Sequence, residues 1–216
     1  MSAQRARLTV FASGGGTNFQ AVIDAVETGF IPVDVALLVC SRPDAGALAR
    51  AERHGIPARV LQFDASADEA AYTAAMLDAL REAGTDLIAL AGYMKKIPLE
   101  VVHAFHHRVL NIHPSLLPAF GGHGMYGMRV HKAVLEYGAR WTGATVHLVD
   151  EEYDTGPIVL QEPVPVRQDD TPETLARRVL EVEHRLYPEA IRLFASGRIS
   201  VEGRRVLIHD RPADHL

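Results

Sequence analysis

Two polar side chains, Asn111 and His113, stand at alternating positions in the apolar run VLNIHPSLLP, residues 109–118. His113 precedes Pro114, and the residue before a proline is pushed towards extended backbone. In an extended strand, positions two apart share a face, so one strand end would present an amide and an imidazole together. A carboxylate able to meet them is Asp154 in EEYDTGPIVLQ, placed in a turn beside Gly156 and Pro157. The plain alternative for Asp154 is turn chemistry, with the side chain bonded to its own backbone. Asp150, Glu151 and Glu152 are rival carboxylates, read more simply as a solvated acidic loop. An amide donor, an imidazole and a carboxylate together suit acyl-type transfer. Attack on a carbonyl carbon makes a tetrahedral oxyanion, which an amide N–H and an imidazolium stabilise. A carboxylate beside the imidazole favours its protonated form and helps move a proton off an attacking amine. No serine or cysteine nucleophile stands out, so direct transfer without a covalent enzyme intermediate is the simpler scheme.

A second chemical signal is the glycine loop SGGGTN, residues 13–18. It follows a strand-like run and opens a helix-like one, where backbone N–H groups and the helix dipole favour a phosphate. Thr17 and Asn18 add side-chain donors. The loop lacks the Lys-Ser/Thr of a Walker A motif, and Phe19 stands where G-x-G-x-x-G needs its third glycine. A small monophosphate ligand therefore fits better than a dinucleotide. The alternative is a tight strand-to-helix turn with no ligand.

These groups need strands and helices to position them. Leu8–Ala12, Val33–Cys40, Ala58–Leu61, Asp86–Ala91 and Val109–His113 read as short apolar strands. Between them, the stretch NFQAVIDAVETG ending at Gly29, Ala45–His54 and Glu69–Ala83 read as helices. Alternation of this kind predicts an α/β fold: an open, mostly parallel twisted sheet with helices on both faces. Residues 119–129, AFGGHGMYGMR, carry four glycines and read as a mobile loop. Gly143–Asp150 and Ile158–Val166 read as two strands joined by a turn, and Thr171 caps a long helix running to about Ala195. The tail, Arg204–Ile208, is expected to add an edge strand. With no repeat or linker in view, one domain over residues 1–216 is the simplest organisation.

Composition narrows the partners. Charged residues make up 23% of the chain and the formal net charge is −5, with no basic excess of the kind a phosphate-backbone binder shows. No apolar run approaches the roughly 20 residues that span a bilayer. The start, MSAQRARLTVFASGGG, has basic residues before an apolar stretch, but the stretch is short and runs into the glycine loop, so a first strand explains it better than a signal peptide. Cys40 is the only cysteine, which fits a reducing, cytoplasmic setting. The eleven histidines are scattered and form no H-E-x-x-H, so no metal is expected.

Taken together, VFASGGGTNFQAVIDA, LIALAGYMKKI, VLNIHPSLLPAF, TGATVHLVDEEYDTGPIVLQ and EVEHRLYPEAI resemble the phosphoribosylglycinamide formyltransferases, folate-dependent enzymes of purine synthesis, over nearly the whole chain. VLNIHPSLLP alone also resembles methionyl-tRNA formyltransferases and formyltetrahydrofolate deformylases; the SGGGTN loop and the compact length separate them. The resemblance implies a Rossmann-like formyltransferase domain with a phosphate-binding N-terminal half and a folate-binding C-terminal half. It implies Asn111, His113 and Asp154 as the catalytic trio, Gly16, Thr17 and Asn18 at the substrate phosphate, and Glu183 at the ribose hydroxyls. Tyr93, Met94, Lys95 and Ile97, with Val149, Asp150 and Asp154, would line the pterin pocket of the cosubstrate 10-formyltetrahydrofolate. The implied partners are two small molecules, glycinamide ribonucleotide and the formyl folate, with no nucleic acid and no membrane, the enzyme acting as monomer or homodimer. Two departures stand out: GGHGMYGMR is longer and richer in glycine than the loop of many members, and Lys95 stands where arginine is common. Lysine keeps the charge but loses the bidentate fork.

Overall fold

The computed structural model describes residues 5–63 and 68–212; residues 1–4, the start of the stretch MSAQRARLTVFASGGG, lie outside them. The chain divides into two compact units, residues 1–110 and 111–216. In the first, β1 (Ala6–Ala12), β2 (Val33–Cys40), β3 (Ala58–Val60) and β4 (Leu87–Leu90) alternate with α1 (Thr17–Glu27), α2 (Gly46–Arg53) and α3 (Glu69–Glu82), and α4 (Leu99–Ala104) follows β4. The pairs β1–β2, β1–β4 and β2–β3 are all parallel. Strand order runs β3-β2-β1-β4-β5, where β5 is Val109–His113 and is divided between the two units. Continuous apolar strands such as Leu8–Ala12 are buried along their length, as parallel strands covered on both faces must be.

The second unit continues the order as β5-β6-β7, with β6 (Trp141–Leu148) and β7 (Ile158–Pro165) antiparallel. The expected α/β architecture with a mostly parallel sheet is what the chain adopts. Helix α6 (Pro172–Ala195) packs on β6, β7 and α5 (Met128–Tyr137). Its buried stripe, Leu175, Val179, Val182, Leu186, Ala190 and Leu193, keeps steps of three and four residues. Thr171 caps it, its hydroxyl accepting from Thr174 N–H at 3.3 Å, while Thr174 returns a bond to Thr171 N–H at 2.9 Å. Such a cap contributes about 1 kcal/mol.

Two sequence expectations need correcting, and one helix was missed. The tail does not edge the main sheet: Arg205–Ile208 forms β9, which pairs antiparallel with β8 (Ile199–Glu202) in a separate two-stranded sheet. Glu202 faces Arg205 in register, so the two-residue turn Gly203-Arg204 folds the tail back on its own neighbour. Helix α5 begins at Met128, inside the stretch read as loop. Its buried positions are Val130, His131 and Val134, and a histidine in the stripe hides the apolar period. Helix α4 was unread because six residues give too few turns for a period to show.

Candidate active site

Strand β5 supplies Asn111 and His113, and both reach the same carboxylate, as their shared face requires. Asn111 Nδ2 lies 3.5 Å from Asp154 Oδ1, and His113 Nδ1 lies 3.5 Å from Asp154 Oδ2. The two side chains are 4% and 11% exposed, so water screens them little. The other ring nitrogen, His113 Nε2, donates to the Phe120 carbonyl at 2.9 Å. Gly122 N–H donates to Asp154 Oδ2 at 2.9 Å.

A fourth group, His147 on β6, completes the cluster. Its Nδ1 lies 2.8 Å from the Leu148 carbonyl, which only accepts, so Nδ1 carries the hydrogen. That leaves the Nε2 lone pair to accept from Asn111 Nδ2 at 3.0 Å. The tautomer of His147 thereby fixes which end of the Asn111 amide faces the carboxylate. His147 Nε2 is also 3.5 Å from Asp154 Oδ1. Sequence reasoning passed over His147, although TVHLV carries the signal that singled out Asn111: a polar side chain inside a buried strand.

Electrostatics set the resting protonation. Burial pulls His113 below the ordinary imidazole range, and this outweighs the upward pulls of Asp154 and the Phe120 carbonyl. The carboxylate does pull His113 towards its protonated form, as expected, but desolvation outweighs that pull in the resting site. Burial raises Asp154, but the neighbouring His147 and His113 rings and the Gly122 amide together bring it below the ordinary carboxylate range. The pair rests as neutral imidazole and carboxylate.

The loop carrying Asp154 is tightly built. Asp154 adopts φ 57° and Phe120 φ 55°, a left-handed conformation that a bulky residue such as Phe rarely takes. A Cβ at Gly156 would sit 1.8 Å from the Leu148 carbonyl oxygen, so only glycine closes the loop there. Asp150 accepts from Thr155 Oγ1 at 2.7 Å and from Glu152 N–H at 3.2 Å, the turn role expected of a loop carboxylate. Glu151 and Glu152 are exposed, and Val149 is half-buried.

In the first unit, Gly16 caps α1 with φ 72°, and a Cβ there would meet Ala47 Cβ at 2.8 Å. Ala47 N–H donates to the Gly14 carbonyl at 3.1 Å and Arg50 Nε to the Gly15 carbonyl at 2.8 Å, pinning the glycine loop to α2. Thr17 is exposed and Asn18 buried, and no acidic side chain occupies the first turn of α1. The helix dipole at this end is therefore open to an anion. After β4, Tyr93 OH pairs with Tyr72 OH at 2.7 Å, Met94 is 46% exposed, Lys95 is exposed and Ile97 is buried. In the second unit, Glu183 lies on the buried side of α6 at 7% exposure, so it is not the solvated helix residue its spacing alone suggested.

Residues 6–191 match the family model described as Formyl transferase. The chain belongs to that family. A chloroplastic phosphoribosylglycinamide formyltransferase of Arabidopsis thaliana is 49% identical over 199 residues, covering 91% of this chain and 68% of the relative. A phosphoribosylglycinamide formyltransferase of Bacillus subtilis is 39% identical, covering 86% of this chain and 93% of the relative. The crystal structure of glycinamide ribonucleotide transformylase 1 from Symbiobacterium toebii superposes with a TM-score of 0.89 at 47% identity, covering 95% of each chain. As a formyltransferase, the chain needs a donor for the developing oxyanion and a relay for the amine proton. Asn111 and the His113–Asp154 pair are chemically suited to those tasks.

Proposed function

We propose that this formyltransferase moves the formyl group of 10-formyltetrahydrofolate to the amine of 5′-phosphoribosylglycinamide, a step of purine synthesis. The observation that carries the reading is the convergence of Asn111 and His113 on Asp154, each within 3.5 Å. Relatives carrying that printed name support the choice of substrates.

In this scheme Asn111 donates an N–H to the formyl oxygen as it gains negative charge. Its 3.0 Å bond to His147 persists, while the longer contact to Asp154 gives way. The His113–Asp154 pair, with its imidazole neutral and its carboxylate charged at rest, takes the proton that the attacking amine loses, and returns it to the folate nitrogen as the carbon–nitrogen bond breaks. Charge building on the formyl oxygen raises His113 and offsets the burial that keeps it neutral at rest. The N–H groups of Gly16, Thr17 and Asn18 hold the phosphate, and Glu183 accepts from the ribose hydroxyls. Met94 offers an exposed apolar surface and Lys95 a positive charge, which suit a flat ring and the carboxylates of a folate. The two units would serve as the phosphate-binding and folate-binding halves of one formyltransferase domain, acting in the cytoplasm. Among the described residues no helix is long and apolar enough to cross a membrane.

The test is a spectrophotometric assay of 10-formyltetrahydrofolate consumption with and without glycinamide ribonucleotide. Consumption that requires the ribonucleotide supports amine transfer. Equal formate release without it would make the protein a folate hydrolase, and no consumption at all would leave a binding protein.

A further inference from the structure

Ser13 opens the glycine loop and is nearly buried, at 4% exposure. Its hydroxyl accepts from Met94 N–H at 2.9 Å and shares a 2.6 Å hydrogen bond with Ser41 Oγ. Its own N–H donates to the Gly92 carbonyl at 3.1 Å. The geometry has a simple origin. Strands β1 and β4 are parallel neighbours, with Phe11 opposite Leu90, so the two loops leave adjacent strand ends on the same side. Ser13 is the first residue of one loop that bonds back to the other, and Tyr93 packs edge-on against Phe11 with centroids 5.2 Å apart. A serine hydroxyl has one hydrogen and two lone pairs, enough to serve Met94 and Ser41 at once.

We infer that Ser13 is a positioning residue that links the glycine loop to the Tyr93–Ile97 segment, so that filling one favours filling the other. This rests on the proposed reading, in which the first holds a phosphate and the second a folate. A ligand that orders the glycine loop fixes Ser13, which fixes the Met94 amide and lowers the ordering cost of the second segment. Ser41 holds the Ser13 hydroxyl through their 2.6 Å hydrogen bond, and α2, which follows it, pins the loop through Ala47 and Arg50.

Tetrahydrofolate, which lacks the formyl group, forms a non-reacting complex with glycinamide ribonucleotide, so the link is measurable by calorimetry. Tetrahydrofolate is titrated into the enzyme alone and with the ribonucleotide saturating. In the unmodified protein the ribonucleotide should tighten tetrahydrofolate binding by about 5-fold or more, the lower end of usual coupling between sites. In Ser13→Ala that ratio should fall to within about 2-fold of unity. Ser13→Cys keeps the shape with a poor acceptor and should lose the ratio too, while Ser41→Ala, which leaves the Met94 bond in place, should keep it. A merely structural serine would weaken both ligands and leave the ratio alone. A full ratio in Ser13→Ala or Ser13→Cys, or no ratio in the unmodified protein, overturns the inference while the substrate reading stands. Failure of the unmodified protein to bind tetrahydrofolate overturns both.

Discussion

Asn111 Nδ2 donates to His147 Nε2 at 3.0 Å, and His147 can accept only because its Nδ1 hydrogen is committed to the Leu148 carbonyl. One backbone carbonyl thus fixes the direction of an amide two groups away. Without that acceptor, Asn111 is free to turn its oxygen towards the substrate, where it would repel an oxyanion. His147→Ala should lower the turnover number by roughly 10- to 100-fold, which asks about 1.4–2.7 kcal/mol of the lost orientation. Michaelis constants should change little, and His147→Gln, which keeps an acceptor, should recover part of the loss. Steady-state kinetics of the two variants check this; wild-type turnover in His147→Ala would remove His147 from the mechanism.

Gly156 should prove irreplaceable by alanine. The added Cβ meets the oxygen and carbon of the Leu148 carbonyl at 1.8 and 2.8 Å, both backbone atoms that cannot swing aside. The loop must move, and Asp154 lies two residues upstream. Gly156→Ala is expected to fold yet lose roughly 10-fold or more in kcat/KM, because misplacing a reacting group by about 1 Å costs up to 100-fold. Turnover measured beside the melting temperature separates the two effects; wild-type kcat/KM in the variant would show that the loop tolerates displacement.

His131 on α5 supplies a pH prediction for stability. It is 4% exposed, its Nδ1 has no hydrogen-bond partner among the described residues, and burial, helped by the nearby His113 ring, pulls it from 6.5 down to about 4. Its charged form is disfavoured in the fold, so below pH 6.5 the unfolded chain binds a proton that the folded chain refuses. Stability is therefore lost as pH falls from about 6.5 towards about 4, by on the order of 3 kcal/mol for a shift of this size. His113, shifted the same way, adds to the loss. Urea midpoints across that window should fall more steeply for the unmodified protein than for His131→Gln, and equal slopes would contradict the assignment.

Much of the fold was legible because its parallel strands are short, apolar and bounded by turn residues, as in Val33–Cys40 followed by Ser41-Arg42-Pro43. Asn111 and His113 were legible for the opposite reason: they are polar where the pattern demands apolar. His147 has that same signature, yet its role depends on which nitrogen faces Leu148, which no spacing encodes. The resting charge of His113 was likewise illegible, since burial and a neighbouring carboxylate pull in opposite directions and only the packed site decides between them. The β8–β9 hairpin escaped because Arg198–Glu202 mixes charge with two apolar residues and shows no clear run.

Asp154→Asn tests the central claim most directly, since it keeps the shape of the side chain and removes the charge that faces His113 and Asn111. Turnover of 10-formyltetrahydrofolate with glycinamide ribonucleotide should fall by roughly 100-fold or more, the usual size of a lost acid–base group, while calorimetric affinities for the ribonucleotide and for tetrahydrofolate stay within about 3-fold of those of the unmodified protein. An unchanged turnover number would remove Asp154 from the chemistry and with it the proposed proton relay.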